Sequence, residues 1–154
     1  MNFTHNRRNF LALLAALIAF GTSAAPSLRA GEMKLEAQLV WGTNDEKSPD
    51  PKHKPVTGDV ERKLKRLPFK WKNYFEVSRQ NFSVAKGESK KISMSKDCMI
   101  EVRNLDDAKV EVTLFGKGAP VGKMTQPLPK GELLVAGGNA ENSTAWFVAL
   151  RQKE

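Results

Sequence analysis

From Phe69 to Leu150 the apolar residues recur at every second position in short runs, and Pro, Gly, Asn or Asp clusters cut one run from the next. Period two is the pattern of an extended strand with one buried face, because successive side chains point to opposite sides. The runs hold Phe69 and Trp71, Phe75 and Val77, Phe82 and Val84, Ile92 and Met94, then Cys98, Ile100 and Val102. Further runs hold Val110, Val112 and Leu114, Val121 to Met124, Leu133 and Val135, and finally Trp146, Val148 and Leu150. Asn104-Leu105-Asp106-Asp107, Gly116-Lys117-Gly118, Pro127 to Gly131 and Gly137-Gly138-Asn139 separate them as turns. Strands this short and closely spaced bury their apolar faces by stacking two sheets or closing a barrel. An upstream strand is expected over Lys34 to Trp41, where Leu35, Ala37, Leu39 and Trp41 alternate with polar residues. The expected fold is all-β: a single antiparallel β-sandwich of about seven or eight strands.

One helix interrupts this pattern, inserted after the first strand. Residues 42–58 carry three prolines and no periodicity, which predicts a long Pro-rich loop, either mobile or loosely tethered. Thr57 or Asp59 is placed to cap a short basic helix over residues 59–67, where Val60, Leu64 and Leu67 form an apolar stripe. Pro68 stops it, since proline has no N–H to continue the ladder. The alternation falters again between Arg79 and Asn81, which reads as a bulge or a turn.

Residues 1–30 read as a cleavable leader, leaving residues 31–154 as the domain. Arg7 and Arg8 precede an eleven-residue apolar run, Phe10 to Phe20, and a small-residue exit ending at Ala30. Eleven residues are too few for a permanent span, which takes roughly 20. Asn6-Arg7-Arg8-Asn9-Phe10-Leu11 resembles a twin-arginine export signal, with Asn where that family has Ser or Thr and Ala12 where it often has Lys. The resemblance implies export in a folded state; the ordinary Sec route stays open. Cleavage is expected after Ala24, and the destination is the periplasm or the medium, with no integral membrane segment. The stretch from Cys98 to Leu150 resembles an immunoglobulin-like or fibronectin-like sandwich, although the lone Cys98 excludes the immunoglobulin disulfide. WGTND and FKWKNYFEV are similar to stretches in small exported bacterial proteins, and no activity travels with that likeness.

All 17 acidic residues lie beyond position 30, while three of the 25 basic ones precede it, so the exported part keeps a positive excess. That excess is local. Arg62, Lys63, Lys65, Arg66, Lys70 and Lys72 interleave with Phe69, Trp71 and Tyr74, and only Glu61 opposes them between residues 60 and 72. Cations beside rings suit an anionic partner, so Arg62, Lys63, Arg66, Lys70, Trp71, Lys72 and Tyr74 are the candidate binding residues. The partners expected are an anionic polysaccharide, a lipid headgroup or an acidic protein; export makes nucleic acid a poor physiological one. The competing reading assigns Phe69, Trp71 and Phe75 to the core and the lysines to a solvated face.

Catalytic and metal chemistry find little support. Beyond the leader there is one His, His53, and one Cys, Cys98, too few for a zinc or copper site, and no cofactor is expected. Met94, Cys98 and Met99 could attract a soft ion, but Met94 and Cys98 fit inward strand positions. Ser93-Met94-Ser95-Lys96 has the spacing of a Ser-x-x-Lys nucleophile without its companion motifs. Asp106-Asp107 reads as a turn, and Asn142-Ser143-Thr144 as a loop with glycosylation spacing. The expectation is therefore a non-enzymatic binding or structural module of the cell envelope. The alternative is a small exported hydrolase, which would need two of Glu36, Glu76, Glu101 and Glu111 gathered in a concave pocket.

Overall fold

The computed structural model describes residues 31–106 and 108–154, so the leader, its cleavage position and Asp107 lie outside the described residues. The elements run β1 (Met33–Thr43), β2 (Lys54–Pro55), α1 (Gly58–Arg66), β3 (Asn73–Val84), β4 (Ser89–Ser93), β5 (Cys98–Asp106), β6 (Lys109–Gly116), β7 (Ala119–Pro127), β8 (Leu133–Asn139) and β9 (Ala145–Gln152). They form one sheet in the order β2-β3-β1-β9-β8 and a second in the order β4-β5-β6-β7, with antiparallel pairing throughout. The sandwich and its single inserted helix match the expectation. The strand count is nine among the described residues, and two-residue β2, inside the Pro-rich loop, is a pairing that no periodicity announces.

The two sheets face each other across a core made by the inward set of each strand. Leu35, Ala37 and Leu39 of β1, Val148 and Leu150 of β9, and Ile100, Val102, Val110, Val112 and Leu114 of the second sheet are all buried there. At the closed end Asn104 is fully buried, and its Nδ2 donates to the carbonyls of Gly31 and Val84, both at 3.0 Å. A buried amide with two backbone partners fixes where β1, β3 and β5 meet.

The five-stranded sheet is covered on its other face too. Val40, Ala145, Phe147 and Ala149 point away from the inner core and pack with Val56, Val60, Leu64, Trp71 and Tyr74. Phe147 is the hub: Phe69 stacks on it at 4.5 Å between centroids, Trp71 meets it edge-on at 5.6 Å, and Tyr74 lies at 6.2 Å. Helix α1 supplies Val60 and Leu64 from one stripe, with Asp59 and Glu61 in its first turn and Lys63, Lys65 and Arg66 in its last, the arrangement the helix dipole favours. Thr57 is the N-cap in extended conformation but makes no side-chain capping bond.

Several local expectations are revised. Asn104 to Asp106 and Gly137 to Asn139, expected as turns, are the ends of β5 and β8, the latter paired with Phe147, Trp146 and Ala145. Phe69 and Trp71 precede β3 rather than opening it, because packing on Phe147 holds them outside the ladder. β3 runs unbroken through Arg79 to Asn81; the irregularity lies at Val77, skipped when Leu39 pairs with Ser78 and Val40 with Glu76. The Pro-rich loop is pinned, with Ser48 Oγ 2.7 Å from His53 Nδ1, Asn73 Nδ2 donating to the Asp45 carbonyl at 2.9 Å, and the Val56 N–H donating to the Tyr74 carbonyl at 2.9 Å.

Leu64 is the fully buried contact of α1 with the sheet. Truncating Leu64→Ala should cost about 2–5 kcal/mol of stability. Urea unfolding should show a lower midpoint with an unchanged slope; an unshifted midpoint would mean that the helix adds little to the fold.

Candidate functional site

Helix α1 lays its basic face along the edge of the five-stranded sheet. Arg62, Lys63 and Arg66 come together with Lys130 of the β7–β8 connection and Arg151 of β9 in a hollow of about 480 Å³, completed by Asp59, Gly131, Glu132 and Leu133. Asp59 pairs with Arg62 and lies 3.3 Å from Arg151, so one carboxylate spaces two of the five cations. Arg151 is the least exposed of these side chains that form ion pairs, at 28%, and its Nε is buried without a hydrogen-bond partner.

The structure does not bring all seven candidate residues of the basic stretch together. Trp71 and Tyr74 are buried at 9% and 7% exposure, which removes both as rings for stacking on a partner. Trp71 instead donates from Nε1 to the Ser143 carbonyl at 2.7 Å, and burial pushes the Tyr74 hydroxyl above its ordinary pKa. Lys70 sits 5.5 Å from the Trp71 ring centroid, and the Lys72 backbone N–H donates to Asn44 Oδ1 at 3.1 Å; neither lines the hollow. Lys130 and Arg151 were not legible as partners of the helix, since they lie more than sixty residues downstream.

The glutamates named for the hydrolase alternative meet in two pairs. Glu36 and Glu76 share Arg79, at 3.4 and 2.7 Å. The Arg79 hydrogen bond, with help from Gln38, holds the Glu76 carboxyl below its usual range, the opposite of what a general acid needs. Glu101 and Glu111 do share one polar hollow of about 390 Å³ on the outer face of the second sheet, the gathering the hydrolase alternative needs, but Arg103 lies among them, Lys91 stands 4.0 Å from Glu101 and Lys123 stands 3.0 Å from Glu111. Ser93 closes β4 and Ser95 Oγ accepts from the N–H groups of Asp97 and Cys98, so Ser-x-x-Lys here is a strand end and a turn. Asp106 likewise accepts from the Ala108 N–H within its turn. Among the described residues no three His, Cys, Asp or Glu side chains gather as metal ligands, and no helix is long and apolar enough to cross a membrane.

A larger feature lies at the other end of β9. The sheets part there around a cleft of about 1410 Å³, walled by Leu39, Trp41, Val77, Cys98, Val121 and Trp146. Trp41 pairs with Phe75 of β3 and with Trp146 of β9, placing three rings in one row across adjacent strands. Each sheet carries a bulge at this point, Val77 on β3 and Val121 on β7, where Leu114 pairs with Gly122 and Phe115 with Pro120. A bulge bends its strand and re-aims the extra side chain. Val121 is left 57% exposed, the one exposed large hydrophobic among the described residues. The rim is polar: the 45–53 loop, the β4–β5 turn, the β6–β7 turn and the β8–β9 hairpin, the last two bridged by Lys117 and Glu141 at 3.4 Å. The alternation marked Leu39, Trp41, Val77 and Trp146 as inward residues, but nothing in it told that the sheets separate around them.

No protein-family description, curated protein or solved structure matches this chain.

Burial pushes the Cys98 thiol up to about 11. At about pH 8 roughly one molecule in a thousand then carries the reactive thiolate. Native protein should therefore react with a thiol reagent far more slowly than denatured protein; equal rates would place Cys98 at the surface. Glu76, with its pKa lowered in the fold, contributes stability that is present above its unfolded pKa and lost as pH falls through the folded value. Glu76→Gln should flatten that acid limb, read as urea midpoints from about pH 6 down to about pH 3. An unchanged limb would show that Glu76 carries none of it.

Proposed function

We propose that the protein is an exported, non-enzymatic binding module of the cell envelope that holds clustered anionic groups in the hollow beside α1. One observation carries this reading: five cations from three separate chain segments converge on one concavity against two acids. Arg presents a fork that matches carboxylate and phosphate oxygens. The anion would be a polysaccharide carboxylate or a lipid phosphate, two sources of the same acceptor chemistry. With Trp71 and Tyr74 inside the core, recognition rests on charge and hydrogen bonding, without a stacking ring.

The test is binding of the mature protein to a uronic-acid polysaccharide, to anionic vesicles and to neutral vesicles, at low and high salt. The comparison is a variant with Arg62, Arg66 and Lys130 changed to Gln. Binding to one anionic probe, weakened by salt and reduced about tenfold or more in the variant, is the expected outcome. Equal binding by the variant, or none by either protein, would overturn the reading.

A further inference from the structure

We infer that the cleft between the two sheets is a second and independent ligand site, which takes an amphiphile with an apolar chain and a cationic head. The hollow beside α1 and this cleft are different places. Arg151 and Trp146 mark them on the same strand, five residues or about 17 Å apart along β9.

The walls define the apolar half of the ligand. A sandwich that needed only a core would close its sheets over Trp41 and Trp146, which are only half-buried, since water-exposed indole surface forgoes the burial that stabilises the fold. Here two bulges in opposite sheets do the reverse, turning Val77 and Val121 into the opening. Gly116 keeps the space clear: a Cβ there would stand 3.3 Å from Val121 Cγ1 and 4.0 Å from Trp146 Cζ2. A volume of about 1410 Å³ exceeds the roughly 300–1,000 Å³ of most small-molecule pockets, so it accommodates a chain of several carbons with room for its head.

The rim defines the head. Its carboxylates, Asp45, Glu46, Asp97 and Glu141, outnumber Lys47 and Lys117, although the chain as a whole is strongly basic. Lys117 is already engaged by Glu141, and among the described residues no cation stands within ion-pair distance of Asp45 or Glu46. Two rim carboxylates without a cationic partner, over a cleft walled in part by two indoles, are the surroundings an alkylammonium group prefers, through charge attraction and cation–π contact. An anionic head meets those same carboxylates as repulsion. The molecule thus presents opposite charge preferences at its two sites.

The inference is tested by titrating the mature protein with octyltrimethylammonium, octyl glucoside and octanoate, each below the concentration at which it forms micelles. Trp41 and Trp146 fluorescence reports occupancy, with buried Trp71 as a constant background. The expected order is ammonium tightest, glucoside about threefold or more weaker, and octanoate weakest. Changing the exposed pair Asp45→Asn and Glu46→Gln should bring the ammonium down to the glucoside without altering stability. Gly116→Leu, which fills the cleft, and Trp146→Leu, which removes one wall, should weaken both by about tenfold, with thermal unfolding confirming that each variant is folded. Equal affinities for the three heads in the unaltered protein would overturn the charge assignment. Absence of binding to any of them would overturn the cleft as a ligand site, and neither result bears on the anion hollow.

Discussion

Burial of the five-stranded sheet on both faces is the constraint from which the remaining architecture follows. β1 and β9 lie side by side within it, and each contributes to two different cores, β9 through alternate residues on both faces and β1 through Val40 on the outer one. One face is covered by the second sheet. The other needs a separate cover, and a short helix with an aromatic segment provides it, docking Val60, Leu64, Phe69 and Trp71 around Phe147. Because that cover is thin, its far side is solvent. The lysines and arginines of α1 occupy that side for the ordinary reason that a helix with one buried stripe keeps its polar residues on the other.

This arrangement explains why the basic aromatic stretch divides in two. The helix cations Arg62, Lys63 and Arg66 face the hollow, while Trp71 and Tyr74 are buried and Phe69 is half-buried against Phe147. The rings do structural work at a distance. Through its bond to the Ser143 carbonyl, Trp71 ties the outer core to the β8–β9 hairpin, so the packing that covers one face of the sheet also holds part of the cleft rim.

Period two carried most of the fold. The inward residues of β1, β5, β6 and β9 lie where alternation puts them, and Pro68 follows the end of α1 as its chemistry requires, but Asn104 to Asp106 and Gly137 to Asn139, expected as turns, extend β5 and β8. Alternation could not reveal double burial in advance. The unbroken apolar run Ala145 to Leu150 is its sign, since a strand covered on both faces has no polar positions to spare. Nor could it reveal the two bulges, which depend on the register between paired strands, or the hollow, which joins residue 62 to residue 151. Gly137 is a further case of a purely spatial demand: a Cβ there would collide with the backbone of Trp146 and Phe147, so the β8 edge can approach β9 only where no side chain exists.

The pairing of β1 with β9 also sets how the domain is presented. Leu35 pairs with Gln152, so the described chain enters and leaves at the same end, while Trp41 and Trp146 mark the opposite one. Whatever is joined to either terminus, a surface, a tag or another domain, holds the molecule like a stalk. The cleft then faces outward into the surroundings, and the attachment point stays clear of its mouth.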